Sequence, residues 1–217
     1  MKEYSEKVKA AVKVVGEGWV ESPYYDNVEK QIPRFWNAGS VFKKLFDNLD
    51  LTHVVELACG HGRHSAQIQD TADKLTLLDI NQTNVDYCSK RFAQSKNIDV
   101  LLNNGLDFSP LTNESVTAVF CYDAMVHFDH RCVNSYLQDF TRVAKKGSLG
   151  LFHHSNYNYP FSDHYGQNPH SRNFMTKELF ARYALDCDLV VEEQIVVDWG
   201  GGENLKKGLD CVSLVRK

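Results

Sequence analysis

Three acidic residues stand beside features that suit ligand binding. Glu56 precedes the small-residue turn Ala58–Gly62, Asp79 ends the next apolar run, and Asp107 with Phe108 follows the third. Gly60 and Gly62 let the backbone turn tightly and approach a ligand closely. A carboxylate after the second apolar run, with Ile80 beside it, can accept the hydroxyls of a ribose. One beyond the third can accept an adenine amino group, with Phe108 against the ring face. A second set of residues can move protons or hold polar groups. It comprises Tyr122, Asp123 and His127, then His153, His154, Ser155 and Asn156, then Asn168, His170 and Arg172. Histidine titrates near neutrality and suits a general base. The fork of Arg172 suits a carboxylate or phosphate.

These residues need a frame that delivers them to one rim, and the pattern from residue 53 onward supplies it. Apolar runs at His53–Cys59, Leu75–Ile80, Asp99–Asn103, Val116–Tyr122 and Ser148–His153 read as strands. Helical stretches fall between them at Gly62–Ala72, after Asn81 to about Gln94, and at His130–Ala144, with Asn81 a candidate cap. Such alternation predicts an α/β, Rossmann-like sheet of seven strands, mostly parallel, with helices on both faces. Its ligands bind at the carboxyl ends of the strands. A polar, aromatic loop over 155–175 precedes a helix at Thr176–Leu185, and two last strands at Leu189–Val197 and Asp210–Arg216 close an antiparallel hairpin. Residues 1–50 form a helical lead-in (Lys2–Val15, a helix from Asp26, another at Val41–Leu49) that can act as a lid. Residues 51–217 make the binding domain.

With 217 residues, 43% hydrophobic, the chain suits one core. Its net charge of −4 and scattered lysine doublets argue against a nucleic-acid partner. No run reaches the roughly 20 apolar residues needed to span a bilayer, and the charged N-terminus is unlike a signal peptide, so no membrane partner and a cytoplasmic location are expected. None of the six cysteines has CxxC spacing, and reduced thiols are expected. The nine histidines show no H-E-x-x-H pair, so no metal is assigned. No G-x-S-x-G elbow is present.

The segment Glu56–Gly62 resembles the glycine-rich first motif of the class I S-adenosylmethionine (SAM)-dependent methyltransferases. Asp79 is similar to that family's ribose-binding acid, Asp107 to its adenine-contacting acid, and Phe120–His127 to its fourth motif. Ala58 stands where the family has its first glycine, and Lys145–Gly147 where it often has Pro-Gly-Gly. The segments Gly60–His64, Tyr122–Phe128 and His153–Asn156 further resemble a bacterial small-molecule subgroup with GHGRH, YDAMVHF and HHSN motifs. The resemblance implies SAM as cofactor, held by Glu56, Ala58, Gly60, Gly62, Asp79, Ile80, Asp107, Phe108 and Tyr122. It implies methyl transfer to an O or N atom of a small polar metabolite such as a sugar or an acid-bearing intermediate.

His127 is then the first candidate base, followed by His153, His154 and Asp123. Strand alternation puts His153 and His154 on opposite faces, so at most one faces the site. Tyr24, Tyr25, Trp36, Asn156 and Arg172 are candidates for holding the acceptor. Each has a structural alternative: a core histidine, a packed aromatic, an arginine paired with a neighbouring acid. A nucleotide-linked oxidoreductase fits less well, because Ser65 occupies the third glycine position of G-x-G-x-x-G. A non-catalytic SAM-binding module and an enzyme for protein or nucleic acid are the other readings. A monomer or homodimer is expected.

Overall fold

A computed structural model describes residues 6–158, 170–200 and 202–217. Part of the expected 155–175 loop, with Asn168, therefore lies outside the described residues.

Seven strands form one sheet: β1 (Val54–Leu57), β2 (Leu75–Asp79), β3 (Ile98–Leu102), β4 (Val116–Cys121), β5 (Ala144–Ser155), β6 (Val190–Trp199) and β7 (Lys206–Arg216). Their order is β3-β2-β1-β4-β5-β7-β6, with β1 to β5 parallel and β7 antiparallel to both neighbours. The order reverses between β1 and β4, and that switch point opens a crevice at the strand ends. The central strands β1, β2 and β4 are buried throughout and mostly apolar because both faces are covered. Alternate residues serve opposite cores. Val55, Leu57, Leu78, Val119 and Cys121 face one, while Val54, Leu75, Leu77, Ala118 and Phe120 face the other.

The first core is covered by α7 (His130–Val143) through Tyr136, Leu137 and Phe140, and by α8 (Lys177–Asp186) through Phe180. The second receives Ile68 of α5 (Ser65–Ile68) and Cys88 of α6 (Gln82–Arg91). It also receives Val28 of α2 (Tyr24–Glu29), Phe35 of α3 (Ile32–Phe35) and Phe42 of α4 (Val41–Phe46). The lead-in, which opens with α1 (Glu6–Glu17), thus shares the core of the sheet.

Several boundaries differ from expectation, each for a local reason. The helix expected over 62–72 shrinks to α5, because Gly60 and Gly62 at φ +54° and +71° keep the preceding residues in turns. The turn expected at Lys146–Gly147 lies within β5 as a bulge. The register jumps from Val116 opposite Ala144 to Ala118 opposite Leu149, and Gly147 takes φ +85°. Asn81 occupies the cap position of α6 without capping it. Its amide donates to the Gly16 carbonyl (2.8 Å) and ties α1 to the sheet. Among the described residues no helix is long and apolar enough to cross a membrane.

Candidate active site

The crevice at the switch point holds a cavity of about 110 Å³. The sheet side contributes Glu56, Ala58, Gly60, Asp79, Ile80, Asn103, Tyr122 and Asp123. The lead-in closes it with Val12, Trp19, Tyr24 and Tyr25, and His127 stands on the wall beyond β4. Two stretches far apart in sequence therefore make one chamber.

Asp79 is almost wholly buried. Its carboxylate accepts from the Gly60 N–H (2.8 Å), the Asn81 N–H (2.9 Å) and the Asn84 amide (3.0 Å). Burial pushes its pKa up against these bonds. With the Ile80 N–H also directed at it, the roughly four acceptor positions of the carboxylate are all addressed by donors. Glu56 accepts from the N–H of Ser65 (3.0 Å) and from its hydroxyl. Burial nevertheless raises its pKa to about 7. Ala58, at the position of the usual first glycine, is held at φ +57°, the left-handed region that an L side chain enters at a cost.

Tyr25 lies over the glycine turn. Its ring stacks on His61 at 4.3 Å between centroids, its hydroxyl accepts from Asn84, and a Cβ built on Gly60 would meet it at 2.6 Å. Glycine is required there by both the close approach and the positive φ. Tyr24 donates its phenolic hydrogen to Asp123 Oδ2, which also receives Arg63 Nη2 at 2.9 Å. The Asp123 N–H donates to His153 Nδ1 (3.0 Å), which fixes Nδ1 as an acceptor. The other nitrogen of His153 faces Asp210 Oδ2 at 3.4 Å. His153 Nδ1 is thus occupied, its buried Nε2 lies in ion-pair range of Asp210 without a hydrogen-bond partner, and the ring stacks on Tyr122.

His127 differs. Its Nδ1 donates to the Ser171 carbonyl (3.0 Å), which leaves Nε2 unprotonated. Burial lowers its pKa to about 4, so the ring is neutral at physiological pH. Its ring lies 4.9 Å from that of Trp19.

The remaining expected residues lie elsewhere. Gly62 packs on Phe92 and Cys88, behind the cavity. Phe108 is fully buried in the first core with Tyr136 at 5.1 Å, because the Asp139 carboxylate holds its N–H and turns the ring inward. Asp107 accepts from the Asn104 amide and the Ser109 N–H in a surface turn, so it is absent from the lining. Trp36 packs between Phe42 and Phe46. His154 stacks on Phe180 on the opposite face of β5, and Asn156 bonds the Gly208 carbonyl and the Lys177 N–H. Arg172 grips buried Asp210 with both arms at 3.0 and 2.7 Å and lies over Trp199, so its fork is already filled.

Residue patterns did not single out Arg63, His64, Trp19 or Asn103 as lining residues. Arg63 and His64 belong to the quoted Gly60–His64 segment, where an arginine beside a glycine turn was the available signal. Asn103 lines the chamber just beyond the third strand, with its Oδ1 accepting from Tyr136 and Gly105 and its amide donating to the Asp107 carbonyl.

Residues 54–147 match the family model described as a methyltransferase domain. This segment is a methyltransferase domain. This match, with structures of the same fold solved in complex with SAM or S-adenosyl-L-homocysteine, supports a SAM-dependent methyltransferase. Among solved structures, a chain of the Haloferax volcanii complex containing the Trm112 methyltransferase activator superposes with TM-score 0.65 at 15% identity, covering 92% of this chain and 96% of that one. Geranyl diphosphate C-methyltransferase from Streptomyces coelicolor, bound to Mg²⁺, geranyl diphosphate and S-adenosyl-L-homocysteine, gives TM-score 0.63 at 15% identity over 80% of this methyltransferase and 77% of that chain. A SAM-dependent methyltransferase from Aquifex aeolicus gives 0.60 at 13% over 96% and 97%. At these identities the likeness concerns the fold. No curated protein matches the chain.

Proposed function

We propose that this methyltransferase moves a methyl group to an O or N atom of a small polar metabolite, using the chamber between the sheet and the lead-in. The observation that carries this reading is the enclosure. Trp19, Tyr24 and Tyr25 close the crevice that Glu56 and Asp79 line, and the space left suits a small acceptor better than a polymer.

The lining fits an adenosyl group. Asp79 can accept a ribose hydroxyl in place of the Asn84 amide, and Ile80, Asn81, Asn103 and Gly105 line the chamber beside it. Glu56 and Asp123 place acidic groups in the same chamber, where they can meet the ammonium of a zwitterionic amino-acid end. Bound there, SAM supplies an electrophilic methyl carbon on a sulfonium. The protein's own task is alignment and proton removal. His127 lines the chamber and its Nε2 is unprotonated, so it takes the acceptor's proton as the acceptor lone pair forms its new bond. Asp123 is held by Tyr24 and Arg63, which makes it an orienting group more than a base. Asp107, Phe108 and Gly62 support the turns around the cofactor from outside the chamber.

Incubating the protein with methyl-labelled SAM and a fractionated lysate tests the proposal. Label in small molecules supports it. Label in protein or nucleic acid overturns the acceptor class, and no transfer in any fraction favours a non-catalytic binding module.

A further inference from the structure

Arg63 is the one Lys or Arg among the described residues that line the chamber, against Glu29, Glu56, Asp79 and Asp123. Its side chain is 9% exposed, packed against the rings of Phe35 and Tyr24 at 5.5 and 5.8 Å. A guanidinium carries five N–H donors and no acceptor. Here Nη2 reaches Asp123, Nε points at His64 Nε2 (3.1 Å), and buried Nη1 has no hydrogen-bond partner.

The Nε contact is itself compromised. The Trp36 indole N–H points at the other nitrogen of His64 (3.1 Å). Burial, first, and the Arg63 charge, second, hold His64 neutral, and a neutral imidazole accepts through one nitrogen only. At most one of the two donors is satisfied. Leaving buried donors of a charged group unmet is costly, so such a group is built for a partner that arrives.

We propose that Arg63 is a carboxylate receptor of this chamber, with Nη1 donating to a monocarboxylate ligand. The planar fork favours a carboxylate. The four surrounding acids disfavour a dianion such as phosphate, because one guanidinium cannot balance two charges among them. Tyr24 keeps Asp123 hydrogen-bonded while Arg63 turns part of its fork to the ligand. Two sources carry this chemistry: the α-carboxylate of the methyl donor, or an acid on the acceptor. The first source rests on the methyltransferase reading.

Calorimetry on the full chain separates the cases, with S-adenosylhomocysteine and 5′-methylthioadenosine as probes. The two share the adenosyl thioether, and only the former has the amino-acid end. If the donor's carboxylate docks on Arg63, Arg63→Met weakens S-adenosylhomocysteine binding by about 10- to 100-fold, the worth of a charged hydrogen bond, and leaves 5′-methylthioadenosine within a few-fold. If the acceptor supplies the acid, both nucleoside affinities persist. Acetate titrated into the S-adenosylhomocysteine-loaded protein then changes tryptophan fluorescence in the wild type and fails to do so in Arg63→Met.

Unchanged affinities together with an unchanged acetate response overturn the proposal. If neither nucleoside binds the wild type, the methyltransferase reading itself fails, and the acetate response of the unloaded protein decides the receptor question. Arg63→Lys, which keeps the charge and loses the fork, serves if Arg63→Met fails to fold. Its expected loss is about 10-fold, and wild-type affinity for both probes and acetate would again overturn the assignment.

Discussion

Replacing Glu56 by glutamine tests the electrostatics of the chamber most directly. The Glu56 carboxyl is buried at 3% exposure, and its pKa moves from an ordinary 4.5 to about 7 because burial outweighs the two Ser65 hydrogen bonds. A raised acid holds its proton in the folded chain while the unfolded chain has lost it. Its stabilising contribution is complete below pH 4.5 and disappears as pH rises through 7. At 1.36 kcal/mol per pH unit, the gap between 4.5 and about 7 costs the protein roughly 3 kcal/mol of stability by pH 8. Glutamine keeps an acceptor for Ser65 and cannot ionise. Urea unfolding at pH 4.5 and pH 8, in wild type and Glu56→Gln, isolates this contribution as a double difference in which all other titrations cancel. The wild type should lose about 3 kcal/mol more than the variant between the two pH values. Equal losses, within about 0.5 kcal/mol, would refute the reasoning, since that is the margin within which independent effects add.

Three further outcomes follow from the geometry. Asp79→Asn should weaken S-adenosylhomocysteine binding by about 10- to 100-fold in calorimetry with the circular dichroism spectrum intact, because a charged acceptor becomes a half-donor amide; unchanged affinity would remove Asp79 from the cofactor site. His127→Ala should lower turnover far more than SAM affinity once an acceptor is found. Because His127 is held near a pKa of about 4, wild-type turnover should show no rise attributable to it between pH 6 and 8; a histidine-type rise abolished by the substitution would contradict the burial argument. Arg172→Ala should destabilise the fold by about 3 kcal/mol in urea, since it deprives buried Asp210 of a two-armed partner; wild-type stability would mean that His153 alone suffices.

The sheet was legible in the sequence because each strand's burial alternates between two cores, and unbroken apolar runs bounded by turns are what two covered faces demand. Glu56 and Asp79 were legible for the same reason: a strand end fixes a residue's place on the rim. Asp107 and Phe108 were not, since beyond a strand end the chain is free to turn. Here Asn103 and Asn104 fold the loop back through hydrogen bonds to Asp107, and Asp139 of α7 draws Phe108 inward. Arg172 looked available because its partner Asp210 stands in β7, 38 residues away, beyond the reach of any local pattern. Trp36 and Trp19 are both aromatics of the lead-in. Only tertiary packing sends one into the core and the other to the chamber wall.

The chamber has two authors in the chain. The segment matching the methyltransferase model begins at residue 54, whereas Val12 to Glu29 build the opposite wall without contributing a rung to the sheet. Exchanging that stretch would therefore leave the strand pairing in place while reshaping a wall that also bears on the nucleoside side, where Gly16 holds Asn81 and Tyr25 lies over Gly60. A short segment that adds no strand thus shapes the chamber from both ends, as a lock's cover plate sets what the barrel can admit.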